Sequence, residues 1–296
     1  MYDIIVIGAG VAGLTSAIYG LRAGKKVLVL EAVSYGGQII NSNSIDNYPG
    51  VNNIDGFTFA TNIYNQAIEL GMEYKTEKVI ELTKDKEVIT TKSKYKGKSI
   101  IIATGLKQRK LELPNEDKFI GKGVSYCALC DGNFYKNLDV LVVGGGNTAL
   151  EDVLYLSNIC NKVYLVHRRS EFRGEKHYID IIKSKNNIEL ILDSNVVSIN
   201  GDNKLESITL INNKTNKEQT LNISGLFIAI GHIPNSEEFK DIINLSDGYI
   251  DSSNCTTNID GIFVAGDIRN KNLRQLVTAT SDGAIAATLA INYLEK

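Results

Sequence analysis

Apolar and polar positions recur along the chain in the same order, twice. Residues Asp3 to Ile7 read as a short buried strand with no polar alternation, Ile4 to Ile7 all being apolar, as in a strand buried on both faces of a parallel sheet. They run into a glycine cluster and then a helical stretch, Leu14 to Ala23, which Gly24 is placed to end. Lys26 to Leu30 predicts a second strand, closed by Glu31. A helix is expected around Phe57 to Leu70, with Ile63, Ala67 and Leu70 on one face and Gly71 after it. Residues 72 to 98 alternate and are rich in Lys, Glu and Thr, which predicts an antiparallel meander with one wet face. Ser99 to Ala103 is an apolar strand ending at Thr104-Gly105. Gly36-Gly37-Gln38 and residues 46 to 50 read only as turn-rich loops.

Leu111 to Lys122 contains Pro114 and several charges and reads as a linker. After it the pattern restarts. Asp139 to Val143 predicts a buried strand, and Gly144-Gly145-Gly146-Asn147-Thr148-Ala149 opens a helix reaching about Asn158. Lys162 to Val166 predicts a strand that ends in His167-Arg168-Arg169, with Arg173 beyond. Residues 188 to 223 again suggest strands with polar turns, and Gly225 to Ile230 is a closing strand ending at Gly231-His232. Beyond Asn244, Ile262 to Asp267 is a strand ending in Gly-Asp, and a helix from about Gln275 to Leu294 closes the chain. This last segment has no glycine fingerprint, so it must complete an earlier unit, most simply the first. The expected architecture is α/β: two Rossmann-like, three-layer dinucleotide-binding domains, the second inserted into the first. The expected boundaries are 1–113 with 245–296, and 114–244. The crossings near 112–117 and 242–247 would form a double hinge.

The glycine clusters carry specific chemistry. Gly8-Ala9-Gly10-Val11-Ala12-Gly13 is G-x-G-x-x-G between a strand and a helix. Gly8 allows the tight turn, Gly10 lets backbone approach a pyrophosphate, and Gly13 lets helix and strand pack closely. The helix start offers free N–H groups and a positive dipole end to phosphate. Glu31 lies about 20 residues on, where a carboxylate accepts from ribose hydroxyls. At the corresponding place the second unit has His167, Arg168 and Arg169. A carboxylate suits a free 2′-hydroxyl and a guanidinium cluster suits a 2′-phosphate. The first site therefore fits FAD or NAD and the second fits NADP(H). The competing reading of the arginines is a solvated basic face.

Charge and cysteine usage narrow the class. A formal net charge of -2 over 296 residues argues against nucleic acid as the main partner. No apolar run is long enough to span a bilayer, and the N-terminus lacks a signal-peptide pattern, so the cytoplasm is the expected location and no membrane partner is expected. Four cysteines are too few for a disulfide scaffold in a chain this long. Cys127 and Cys130 are spaced C-x-x-C, with Asp131 next. Such a pair can close a small disulfide at a helix start, where dipole and N–H groups lower a thiol pKa. A structural zinc site needs four ligands, and Cys160 and Cys255 are isolated, so no metal is expected. Two buried, inert cysteines remain the other alternative, and Cys160 and Cys255 themselves read as core thiols.

These motifs, in this order and over nearly the whole chain from Asp3 to about Tyr293, resemble those of the low-molecular-weight, bacterial-type thioredoxin reductases among the pyridine nucleotide-disulfide oxidoreductases. The resemblance also rests on Gly36-Gly37-Gln38, Cys127-Ala128-Leu129-Cys130-Asp131, Ser170-Glu171-Phe172-Arg173, Gly266-Asp267 and Arg274-Gln275. It implies a homodimeric enzyme that carries electrons from NADPH through FAD and the Cys127–Cys130 pair to thioredoxin. It places FAD on Gly8, Gly10, Val11, Ala12, Gly13, Glu31, Gly36, Gly37, Gln38, Asn47, Thr104, Gly105, Gly266, Asp267, Arg274 and Gln275, with Asp267 at the ribityl chain. It places NADPH on Gly144, Gly146, Asn147, Thr148, His167, Arg168, Arg169 and Arg173. Cys130 would face the flavin, Cys127 would attack the thioredoxin disulfide, and Asp131 would handle protons. Rotation of the inserted domain about the double hinge is also implied. Relatives that take electrons from ferredoxin have lost the NADPH residues, which are present here. A non-catalytic, redox-sensing dinucleotide-binding module is the alternative outside enzymology.

Overall fold

The computed structural model describes residues 1–42, 44–45 and 47–296, so the part of the expected 46–50 turn that falls on Asp46 lies outside the described residues. The chain divides into two units, Met1–Lys107 with Ile233–Lys296, and Gln108–His232. Both junctions fall earlier than the expected 113/114 and 244/245, and packing explains each shift. Leu111 and Leu113 pack against the second unit's core around Phe119 and Leu226. Phe239 and Ile243 are buried in the first unit's core with Val264. The stretch read as a linker is likewise part of the second unit. Its Phe119 is fully buried, and Glu116, 2% exposed, accepts from the Leu111 and Leu113 amides and the Tyr126 hydroxyl.

In the first unit the strand Tyr2–Ile7 lies between Val27–Glu31 and Lys94–Ile102, parallel to both. Glu73–Thr76 adds a parallel edge beside Val27–Glu31, where a meander strand was expected. Ile262–Val264 adds a parallel strand on the far side of Lys94–Ile102. That long strand serves two layers. Its last residues pair parallel in the main sheet, and its first, Lys94 to Lys96, pair antiparallel with Glu87–Thr90, which pairs with Val79–Leu82.

The unbroken apolar runs follow from this layering. Alternate residues of one strand point to opposite faces. Ile4 and Val6 meet Leu14, Ala17, Ala286 and Ala287 of the helices Val11–Arg22 and Leu276–Leu294. Ile5 and Ile7 meet Val79, Leu82 and Val88 of the meander. Both faces are dry, so Ile4, Ile5, Val6 and Ile7 each gain about 1.5–3 kcal/mol from burial. The helix Gly56–Glu69 covers the same side as Val11–Arg22 and buries Ala67, whereas Leu70, expected on its apolar face, is 38% exposed.

The second unit repeats the scheme. Its parallel sheet runs Ile188–Ile191, Lys162–Val166, Asp139–Gly144, Gly225–Ala229, Val124–Ser125. Val140 and Val142 pack on Ala149, Leu150 and Val153 of the helix Asn147–Ser157. Leu141 and Val143 pack on Ile199, Ile208, Leu210 and Leu221, which belong to the antiparallel strands Ser194–Asn200, Ser207–Asn212 and Glu218–Asn222. Among the described residues, no helix is long and apolar enough to cross a membrane and no cluster of His, Cys, Asp or Glu is arranged to hold a metal ion.

Candidate functional site

Two glycine turns and one cysteine pair carry the chemistry. In the first unit Gly8 has φ +105, and a Cβ there or on Gly13 would collide with backbone carbonyl oxygen. A Cβ on Gly10 would meet nothing within 4 Å. Gly8 and Gly13 thus serve the turn itself, and Gly10 leaves an open cradle. Gly10 caps the helix Val11–Arg22 without a side-chain hydrogen bond, and no acid sits in the first turn, so its first N–H groups face that opening uncapped. Glu31 accepts from the Ala9 amide across 2.8 Å and so fixes the loop from below.

The other predicted residues of this site converge on the same turn. The Gly36 amide donates to the Ala9 carbonyl, and a Cβ on Gly37 would lie 3.2 Å from the Gly10 Cα. Gln38 Nε2 donates to the Leu106 carbonyl, just beyond Thr104-Gly105. Thr104 and Gly105 are held by Asn235: Thr104 Oγ1 donates to its carbonyl, its Nδ2 donates to the Thr104 carbonyl, and its amide donates to Gly105. Gly266 has φ +80 and lies against Ala12. Arg274 donates to the Asp267 and Arg269 carbonyls and lies 4.3 Å over the Tyr249 ring. Gln275 caps the final helix and accepts from Asn47 Nδ2 across 3.1 Å. The residues present fit a dinucleotide whose pyrophosphate lies on the open glycine.

The second unit has the same arrangement with opposite charge. A Cβ on Gly144 would collide with the Ala229 carbonyl oxygen, whereas one on Gly146 would meet nothing within 4 Å. Gly146 caps the helix Asn147–Ser157, again with no side-chain cap and no acid in the first turn. Thr148 is exposed, and Asn147 exchanges hydrogen bonds with Glu175. His167 is 6% exposed, packs under Gly145, stacks on Phe172 and bonds the Glu171 carbonyl through Nε2. Burial, with the nearby arginine charges, holds its pKa below the ordinary histidine value. His167 is therefore a neutral floor of the glycine loop. Arg173 joins the loop by donating its amide to the Gly145 carbonyl. Arg168, Arg169 and Arg173 are exposed, and no carboxylate pairs with them among the described residues. Three unpaired guanidinium groups around an open helix start fit an added phosphate.

Cys127 and Cys130, in the same unit, form a disulfide with Cα atoms 5.3 Å apart. The strand Val124–Ser125 delivers Cys127 to the cap of a single helical turn, Ala128–Asp131, where its Sγ accepts from the Cys130 amide across 3.2 Å. Ser125 Oγ accepts from the Cys127 amide across 3.1 Å and donates to Asp131 Oδ2 across 2.7 Å. Asp131 Oδ1 is buried with no hydrogen-bond partner among the described residues. Burial raises the Asp131 pKa above the usual carboxylate value, and the Ser125 hydrogen bond offsets part of that rise. Cys160 and Cys255 are buried, and burial pushes both thiols up to about 11, as expected of core thiols.

Sequence patterns missed Ser125, Asn235 and Asp282. The first two are ordinary polar residues until the fold brings them to Asp131 and Thr104. Asp282 did carry a signal, as the one charged residue of an otherwise uncharged final helix.

The chain matches the pyridine nucleotide-disulphide oxidoreductase family over residues 2–283. It is 41% identical to a thioredoxin reductase of Peptoclostridium acidaminophilum, with 100% of this chain and 98% of that protein covered. It is also 41% identical to a 34.2 kDa protein in the rubredoxin operon of Clostridium pasteurianum, covering 99% of this chain and 97% of that one. Among solved structures, the thioredoxin reductase of Streptococcus pyogenes superposes with a TM-score of 0.93 at 39% identity, covering 100% of this chain and 98% of the other. A family match over most of the chain and a full-length relative at 41% identity show that the chain belongs to the pyridine nucleotide-disulphide oxidoreductase family.

Proposed function

We propose that this chain is an NADPH-dependent thioredoxin reductase that passes electrons through FAD and the Cys127–Cys130 disulfide to oxidised thioredoxin. The observation that carries this reading is that disulfide, set at the head of one helical turn beside the buried carboxyl of Asp131. Full-length relatives named thioredoxin reductase support it.

In the first unit, the uncapped N–H groups after Gly10 would bind the FAD pyrophosphate, with Glu31 and Asp267 as acceptors for hydroxyl groups. In the second, those after Gly146 would bind the NADPH pyrophosphate, and Arg168, Arg169 and Arg173 the 2′-phosphate. Bound flavin supplies two-electron chemistry, taking a hydride from nicotinamide and returning electrons to a disulfide.

The chain's own residues then perform exchange. Two electrons and two protons convert the Cys127–Cys130 bond into two thiols. The Cys127 thiolate attacks the thioredoxin disulfide, forming a mixed disulfide and releasing one thioredoxin thiolate. Cys130 attacks Cys127 Sγ, re-forms the internal bond and releases the second. Asp131, held protonated further up the pH scale than an exposed aspartate, gives a proton to the thiolate that leaves and takes one when a thiol must ionise. The working form is a cytoplasmic homodimer, a part of the proposal that sedimentation of the purified chain tests separately.

The test is NADPH oxidation with and without thioredoxin, with NADH as control. Thioredoxin-dependent NADPH oxidation is expected, with much slower oxidation of NADH. Cys127→Ser should abolish turnover yet leave bound flavin reducible by NADPH. Normal thioredoxin reduction by that variant would exclude the proposed roles.

A further inference from the structure

The Gly266–Asp267 turn is held by a buried carboxylate outside every motif described above. Asp282, in the final helix, is 6% exposed. Its Oδ2 accepts from the Gly266 amide across 3.1 Å and from Lys271 Nζ across 3.0 Å, and its Oδ1 accepts from Arg269 Nη1. Arg269 is fixed in turn by Nε donating to Ser252 Oγ across 2.9 Å. Lys271 is nearly buried, with a side chain 12% exposed, and also lies 3.2 Å from Asp267 Oδ1. That oxygen is buried and has no hydrogen-bond partner among the described residues, so the ion pair with Lys271 is its contact with charge. The Asp267 side chain as a whole remains 36% exposed.

Asp282, Arg269 and Lys271 therefore share a small, nearly buried volume, with the half-exposed Asp267 at its rim. An unpaired charge there would be strongly unfavourable, so each member holds the others. Gly283, next to Asp282, allows no displacement: a Cβ on it would collide with the Ala12 carbonyl oxygen, and its own carbonyl accepts from Ser16 Oγ across 3.0 Å. Asp282 is thus anchored to the first helix of the glycine fingerprint and reaches across to the Gly-Asp turn.

We propose that Asp282, acting through Lys271, is the positioning residue of the flavin site: it sets the Gly266–Asp267 turn and the orientation of the Asp267 carboxylate toward a ligand hydroxyl. The inference rests on the reading that the first unit holds FAD. Asp282 touches no ligand in this role. It fixes the turn before FAD arrives, so the ordering cost is not charged against binding.

The test uses the full chain, stripped of flavin and titrated with FAD by flavin fluorescence, alongside thermal midpoints with and without FAD. Asp282→Asn should weaken FAD binding by about tenfold, equivalent to about 1.4 kcal/mol. The rise in midpoint that FAD produces should shrink accordingly, while NADPH binding to the other unit stays unchanged. A purely structural role would instead lower both midpoints together and leave the FAD-induced rise intact. Lys271→Met should weaken FAD binding in the same direction, and Lys271→Arg should restore it. If Asp282→Asn does not fold, the Lys271 pair carries the test. FAD affinities within about twofold of the parent in both Asp282→Asn and Lys271→Met would overturn the inference and leave the flavin reading standing. A parent chain that takes up no FAD would overturn both.

Discussion

Ser125 donates its hydroxyl proton to Asp131 Oδ2 across 2.7 Å while its Oγ accepts the Cys127 amide across 3.1 Å. One side chain thus ties the acid to the cysteine pair and chooses which carboxyl oxygen is occupied. The other, Oδ1, is buried without a partner among the described residues, and in the proposed mechanism it would carry the transferable proton. Asp131→Asn keeps the shape and cannot cycle a proton. Thioredoxin reduction should fall by about 10²–10⁴-fold, with flavin content unchanged by absorbance. Near-normal turnover would show that Asp131 is not the proton carrier.

Removing Ser125 acts in a definite direction. Its hydrogen bond lowers the Asp131 pKa against the rise caused by burial. Ser125→Ala should therefore push that pKa further up, and the pH at which turnover loses its acid should move to higher values. Cys127, Tyr135 and the helix Asn147–Ser157 also border this region, and the Tyr135 hydroxyl, pushed up to about 12, stays neutral throughout the range. A pH–rate profile displaced to lower pH would contradict the assignment.

The arginines predict cofactor choice. In the proposed NADPH site, each of Arg168→Gln and Arg169→Gln would remove one charge-assisted contact to the 2′-phosphate, worth roughly 1.5–3 kcal/mol. NADPH kcat/KM should fall about 10–100-fold for each, while NADH kcat/KM stays the same. Equal losses for both nucleotides would mean that the cluster does not read the phosphate.

Asp152 gives a stability signature. Burial, with the Glu151 charge, raises its pKa from 3.8 to about 7. The folded chain therefore binds a proton more tightly than the unfolded chain. Stability is full below the unfolded pKa and is lost as pH rises through the window from 3.8 to about 7. Asp152→Asn should remove this part of the slope. Urea midpoints of parent and variant at pH 5 and pH 7.5 measure it, and parallel slopes would refute it.

Gly283 lies mid-helix, where alanine normally stabilises by about 0.8–1.0 kcal/mol. Here the added Cβ would strike the Ala12 carbonyl oxygen and the Thr15 side chain. Overpacking of this kind costs about 1–3 kcal/mol, so the clash outweighs the propensity gain. Gly283→Ala should lower the thermal midpoint, and a rise would show that the helices can separate at no cost.

Much of this was legible without coordinates. The uninterrupted apolar runs at Ile4 to Ile7 and Val140 to Val143, each leading straight into a glycine turn, read as strands covered on both faces. The edge strands Glu73–Thr76 and Ile188–Ile191 were not separable from the meanders after them. A half-exposed edge strand alternates in the same way whether its partner runs parallel or antiparallel. The expected junctions were misplaced because Leu111, Leu113, Phe239 and Ile243 are apolar residues in polar company, and only packing shows which core takes them.

By itself the sequence determined the two strand–glycine–helix units, the charge difference between Glu31 and Arg168-Arg169, and the cysteine spacing. Those are local, because backbone freedom, phosphate affinity and disulfide closure depend on neighbours a few residues apart. Tertiary structure alone decided that Ser125 holds Asp131, that Asn235 holds Thr104, and that Asp282 holds the Gly266 turn. These partners are joined by burial and hydrogen bonding between segments separated by 6, 131 and 16 residues. No periodicity records such pairs. They exist because a buried polar group must find a partner wherever the packed layers place one.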